Sequence, residues 1–99
     1  MKIEIRGQIS QIGEPREAGK SLVREIIISK KYFDSNTGEL KGEDYYPVQI
    51  WEDVFPEFEK AYTKSSNMVI LGYVNGRRAE KDGSVSHFLN ITGKSFISL

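Results

Sequence analysis

The sequence predicts an all-β domain in which five short strands roll into a barrel and one helix lies between the third and the fourth. Three observations carry this. Apolar and polar residues alternate with a period of two in several stretches, turn-forming residues separate those stretches, and a single segment near residue 55 changes to helical spacing. Ninety-nine residues make one domain, residues 1–99, with one core. The chain has no cysteine, which excludes disulfides, thiolate nucleophiles and cysteine-type zinc sites.

In the first strand Ile3, Ile5, Gly7 and Ile9 alternate with Lys2, Glu4, Arg6, Gln8 and Ser10, as in a strand with one buried face. The same alternation is neither a signal peptide nor a transmembrane run, so a soluble, cytoplasmic protein without membrane contact is expected. Gly13, Pro15 and Gly19 place a loop over residues 13–21. Residues 22–33 are β-branched and aromatic, with Ile26, Ile27 and Ile28 in a row, so this second strand is covered on both faces and its parity stays open. Polar residues and glycines over 34–44 read as a long exposed hairpin loop. In the third strand, residues 45–51, Tyr46, Val48 and Ile50 face the core, while Tyr45, Pro47, Gln49 and Trp51 face out. Val54, Phe58, Ala61 and Tyr62 then fall at helical spacing, with Asp53 as the expected N-cap and Pro56 in the first turn. Residues 68–78 return to strand chemistry, Lys81-Asp82-Gly83 makes a tight turn, and residues 85–97 close the barrel with a bend or bulge at Gly93.

Formal charge sums to zero, but its distribution is uneven. Residues 1–33 hold seven cations against four acids, residues 34–59 one cation against eight acids, and residues 60–99 six cations against two acids. The basic first and last thirds are therefore the expected binding side. Glu52, Asp53, Glu57 and Glu59 read as a solvated helix face turned away from any polyanion.

Five strands with one helix after the third is the arrangement of the OB barrel, in which the helix plugs one end. The order Tyr46-Pro47-Val48-Gln49-Ile50-Trp51-Glu52, a helix, Met68 through Gly72 to Arg77-Arg78, and Glu80-Lys81-Asp82-Gly83-Ser84 resembles the bacterial and phage single-stranded DNA-binding proteins. The likeness is one of order and spacing from about residue 45 to 96; the first two strands match in pattern only. The resemblance implies an OB fold that wraps single-stranded DNA over its sheet face and long hairpins, in replication, recombination or repair. It also implies a homo-oligomer, dimer or tetramer, paired through strand edges. The family's acidic, glycine-rich tail does not follow the barrel, so docking of repair enzymes through such a tail is not implied, and a phage-derived or accessory member suits the chain better.

A binder without sequence preference needs aromatic platforms for bases and cations for phosphates. Tyr32, Phe33, Tyr45, Trp51, Tyr73 and Phe88 are interleaved with Arg24, Lys30, Lys31, Arg77 and Arg78 on strands expected to be neighbours, and Gln49 shares the outward side of the third strand. Positions matching the family's contact regions are Tyr45 and Trp51 on the third strand, Tyr73 and Arg77 on the fourth, Arg78 and Lys81 at its hairpin, and Phe88 on the fifth. Each ring has a bland alternative as barrel filling, and Trp51 has a second one as cover for the helix through Val54 or Phe55. The arginine pair has another as an ordinary solvated hairpin.

No catalytic constellation competes with this reading. His87 is the only histidine, and Ser86 beside it points to the opposite strand face, so the pair cannot act as nucleophile and base. Neither a metal nor a cofactor is expected. A protein-binding OB module, an adaptor in a nucleic-acid-processing complex, is the alternative that the neutral charge favours.

Overall fold

The computed structural model describes residues 1–99. Its elements in chain order are β1 (Lys2–Ile12), β2 (Arg16–Ala18), β3 (Ser21–Phe33), β4 (Leu40–Trp51), α1 (Phe55–Lys64), β5 (Asn67–Lys81) and β6 (Ser84–Ser98). They form one sheet in the order β1-β5-β6-β4-β3-β2, and β1 also pairs with β3, which closes five of the strands into a barrel. Closure works because β1 changes partner partway along. Lys2 to Gln8 pair with β5, Gln8 to Ile12 pair with β3, and a bulge between Ile9 and Gln11 bends the strand from one to the other.

Helix α1 lies between β4 and β5, not between a third and a fourth strand as expected, because the segment read as a loop over 13–21 contains β2. Arg16, Glu17 and Ala18 pair with Val23, Leu22 and Ser21 around a turn at Gly19. Those three residues have little β preference, so nothing in their pattern announces a strand. The expected loop over 34–44 is also shorter, since β4 starts at Leu40. Glu43 and Asp44 pair with Lys31 and Lys30. Opposite charges facing each other sustain a solvated ribbon that carries no apolar alternation.

Odd and even positions separate as the third-strand reading required. Val48 and Ile50 are fully buried with Ile26, Ile28, Met68 and Ile70, and Tyr46 packs against this core. Phe58 of α1 is fully buried at the plugged end, with Phe96 edge-on at 5.5 Å, Tyr62 stacked at 5.8 Å and Phe55 tilted at 5.6 Å. The helix is capped at Val54 with no side-chain cap, so Asp53 does not fill that role. The helix starts one residue later than its spacing suggests, and Pro56 in the first turn removes one of the N–H groups a cap would satisfy.

β5 and β6 run 15 residues each and extend past the barrel as a two-stranded ribbon, turned by Asp82 and Gly83 at φ +51° and +79°. The radius of gyration, 15.6 Å, exceeds the roughly 13 Å of a 100-residue globule because this ribbon and the β3–β4 hairpin project from the barrel. No helix is long and apolar enough to cross a membrane.

Candidate nucleic-acid interface

Strand register decides which candidate side chains share a face. Ser29 pairs with Tyr45, Glu25 with Gln49, Val23 with Trp51 and Lys31 with Glu43, so Lys31, Tyr45, Gln49 and Trp51 lie on the outer side of β3 and β4. Phe33 follows Lys31 at the same parity, opposite Leu40. Gln49 and Thr92 form the parallel contact between β4 and β6, Thr92 pairs with Tyr73, and two further steps of four residues reach Arg77 and Phe88, which pair with each other. Eight of the ten candidates therefore share the outer parity: Lys31, Phe33, Tyr45, Gln49, Trp51, Tyr73, Arg77 and Phe88.

Arg24 and Arg78 do not join them. Arg24 pairs with Ile50 at core-facing parity, and its guanidinium carbon sits 4.4 Å over the Phe55 ring at the plugged end. The inward set of Ile26 and Ile28 fixes that parity, which the triple isoleucine had left open. Arg78 lies on the opposite side of the ribbon from Arg77, with its guanidinium 3.6 Å from Glu80. Two consecutive strand residues cannot face the same way. Of the two, Arg77 alone shares the candidate face, its guanidinium carbon 5.2 Å from the Phe88 ring.

The rings on the outer side are accessible. Tyr45 is 59% exposed and Phe33 60%, while Tyr73 and Phe88 are also exposed and Trp51 is half-buried. Trp51 is not among the side chains packed on the core; it borders a shallow hollow with Ser21, Glu52, Asp53 and Lys94. Lys94 is the residue left without a partner where the β5–β6 register shifts between Leu71 and Gly72. It is a cation beside Trp51 that the sequence reading overlooked, although Gly93 had marked the bend.

The β3–β4 hairpin is braced from within. Asp44 Oδ2 accepts hydrogen bonds from the hydroxyls of Tyr32 at 2.8 Å and Tyr46 at 3.3 Å, and Lys30 Nζ lies 5.8 Å from the Tyr32 ring. Hydrogen bonding with Tyr46 and with Asp44 raises the Tyr32 hydroxyl far above its ordinary value. Tyr32 is thus a strut for the hairpin rather than a free platform. At the tip Asp34 Oδ1 accepts from the amides of Asn36 at 2.7 Å and Thr37 at 3.1 Å, which lowers its pKa below the ordinary 3.8. On the outer side Glu43, as hydrogen-bond acceptor and as charge, raises the Tyr45 hydroxyl above its ordinary value. Tyr45 therefore stays neutral well above physiological pH, and a neutral ring does not repel phosphate.

No protein-family model matches the sequence, and no curated protein sequence matches it either. Solved structures do. The Plasmodium falciparum SSB in complex with single-stranded DNA superposes with a TM-score of 0.64 at 15% identity, covering 99% of this chain and 93% of that one. A small single-stranded DNA-binding protein from Mycoplasma pneumoniae gives 0.60 at 18% identity, covering 98% and 91%. One from Streptomyces coelicolor gives 0.60 at 13%, covering 97% and 91%. The chain has their fold, the OB barrel. Coverage near the full length of both partners means that the likeness includes the projecting hairpins as well as the barrel.

Within this OB barrel the candidate face runs across β3, β4, β6 and β5 and out along both hairpins. The acids of α1 are exposed, so the negative middle of the sequence is partly consumed at the plugged end. Of the other acids in residues 34–59, Asp34, Glu39, Glu43 and Asp44 lie on the β3–β4 hairpin and Glu52 and Asp53 border Trp51; Glu25 of β3 shares the outer side with Glu43.

Proposed function

We propose that this chain binds single-stranded DNA with little base discrimination, stacking bases on Tyr45, Trp51, Tyr73 and Phe88 and engaging phosphates with Lys31 and Arg77, without catalysing a reaction. The observation that carries the reading is the shared outer parity of four rings and two cations on neighbouring strands. A face that carries several rings, each contributing about 1–3 kcal/mol per stacked base, suits a ligand whose bases are unpaired. A duplex hides its base faces and offers them nothing. Support also comes from the fold neighbours, one of which is a complex with single-stranded DNA. Service in replication, recombination or repair, as a dimer or tetramer paired through strand edges, belongs to the same proposal; sedimentation equilibrium measures the assembly.

The protein-adaptor alternative draws on the other side of the ribbon, where Leu89 is 78% exposed and Val85 is exposed nearby. Fluorescence anisotropy of labelled oligo-dT and of the matching duplex, titrated at several salt concentrations while emission of the single tryptophan is recorded, separates the two. Binding of the single strand alone, quenching Trp51 and weakening with a log–log slope of about −0.7 per phosphate, is the expected result. No binding at low salt sinks it in favour of the adaptor.

A further inference from the structure

The partner change of β1 leaves the barrel wall open at one place. N-terminal to Gln8, β1 pairs only with β5; C-terminal to Ser29, β3 pairs only with β4. The two strands diverge from a vertex at Gly7, where an added Cβ would overlap the Ser29 carbonyl oxygen. Only a residue without a side chain lets β3 come this close, so Gly7 fixes where the fork begins.

A groove of about 340 Å³ lies in the fork, within the size range of ligand sites. Arg6, Lys30 and Lys31 line it together with Gln8, Ser29 and Asn67, and its one apolar lining residue is Leu99. Arg6 and Lys30 also border the hollow on the core side of the fork, so they flank the opening from its two strands. Both are exposed, and neither has a carboxylate within 4.0 Å; Arg78–Glu80 is the only ion pair of the chain. Three cations, none with a carboxylate within 4.0 Å although Asp44 and Glu43 face Lys30 and Lys31 across the strand pair, converge on a concave polar surface and constitute an anion site, and the concavity concentrates their field. Not one aromatic side chain lines the groove, so it offers bases nothing to stack on.

We infer that this fork is a phosphodiester-binding groove that takes the sugar–phosphate backbone of a nucleic-acid strand and carries it off the aromatic face, around the edge of β3. The inference rests on the proposed single-strand binding and extends it. Continuity favours one strand running through both places, because Lys31 lines the groove and shares the outer parity of Tyr45, and Ser29 pairs with Tyr45. The two places divide the work: rings hold bases, and the fork holds phosphates whatever the bases are.

The test is Arg6→Gln/Lys30→Gln, which keeps a polar, unbranched side chain, removes two charges and touches no buried position. It is titrated with oligo-dT of roughly 16 nucleotides, the upper end of what one OB domain covers, and with an abasic strand of the same length. Loss of two phosphate contacts should flatten the log–log salt slope for oligo-dT by about 1.4 and weaken binding at 0.1 M salt by about 25-fold. The abasic strand should bind the wild type weakly and the double variant about 25-fold more weakly still, through the remaining Lys31 and Arg77. If the wild type binds oligo-dT and the double variant has the same slope, the groove is overturned and the aromatic face stands. A wild type that binds no oligo-dT would overturn both.

Discussion

The plugged end of the barrel and its outer face use their large side chains in opposite ways. At the plugged end Phe58 has no exposed surface, and Phe55, Tyr62 and Phe96 surround it. Away from that end Tyr45 and Tyr73 stay exposed on the barrel wall and Phe33 and Phe88 on the projecting hairpins, held by register, a few hydrogen bonds and cation–ring contacts. The same residue types stabilise the fold in one place and remain free to bind in the other. Stability and affinity should therefore be separable by mutation.

The sharpest break is Phe58→Ala. Removing a fully buried ring from the helix–barrel contact should cost about 3–5 kcal/mol. For a domain of this size each kcal/mol lowers the melting temperature by about 4–8 °C, so calorimetry should show a drop of tens of degrees. Oligo-dT affinity per folded molecule should not change. A proportional loss of affinity would mean that the buried Phe58 ring shapes the binding face and that the division between core rings and surface rings is wrong.

Next in size is Tyr45→Ala on the outer face. It removes a ring that is 59% exposed, so the melting temperature should move little, while loss of one stacking platform should weaken oligo-dT binding by about 1–3 kcal/mol at an unchanged salt slope. An unaffected affinity would take Tyr45 out of the site.

How far the chain could be read without coordinates follows the same division. The plugged end was legible: Tyr46, Val48 and Ile50 announced their face by alternation, and Phe58 and Ala61 by helical spacing. Burial imposes a period, and a period is visible in one dimension. Arg24 was misplaced because three consecutive isoleucines hide the parity of β3. β2 and residues 40–44 of β4 were read as loop because solvated ribbons carry no apolar period. The fork depends on where β1 changes partner, a matter of register between distant strands. Its residues gave only ordinary polar alternation, and the bulge at Ser10 has no signature of its own.

A smaller difference separates the two sides of the ribbon. Arg77→Ala removes the outer-side cation over Phe88 and should weaken oligo-dT binding about fivefold at 0.1 M salt, with the slope reduced by about 0.7. Arg78→Ala breaks only an exposed pair with Glu80, which contributes about 0–1 kcal/mol to stability, and should leave the slope alone. Equal effects from both would mean that the strand passes over both sides of the ribbon, and the face drawn from register would have to be widened.

The smallest effect concerns the tip of the β3–β4 hairpin. Asp34 is held below its ordinary pKa of 3.8 by the amides of Asn36 and Thr37, so its folded-state value is the depressed one. The bracing it supplies is therefore fully present above about pH 4 and is lost as pH falls through that lower value. Asp34 is half-buried, but the turn it closes involves only its own hairpin tip, so the consequence is local order rather than global stability. Asp34→Ala should shift the Asn36 and Thr37 amide resonances at neutral pH and leave the melting temperature within error. The shift between variant and wild type should shrink as acid protonates the wild-type carboxylate. A variant that also melts earlier would show that the hairpin stiffens the barrel after all, because a tip stabilised only by its own turn has no path to Phe58 except along β4 through the core.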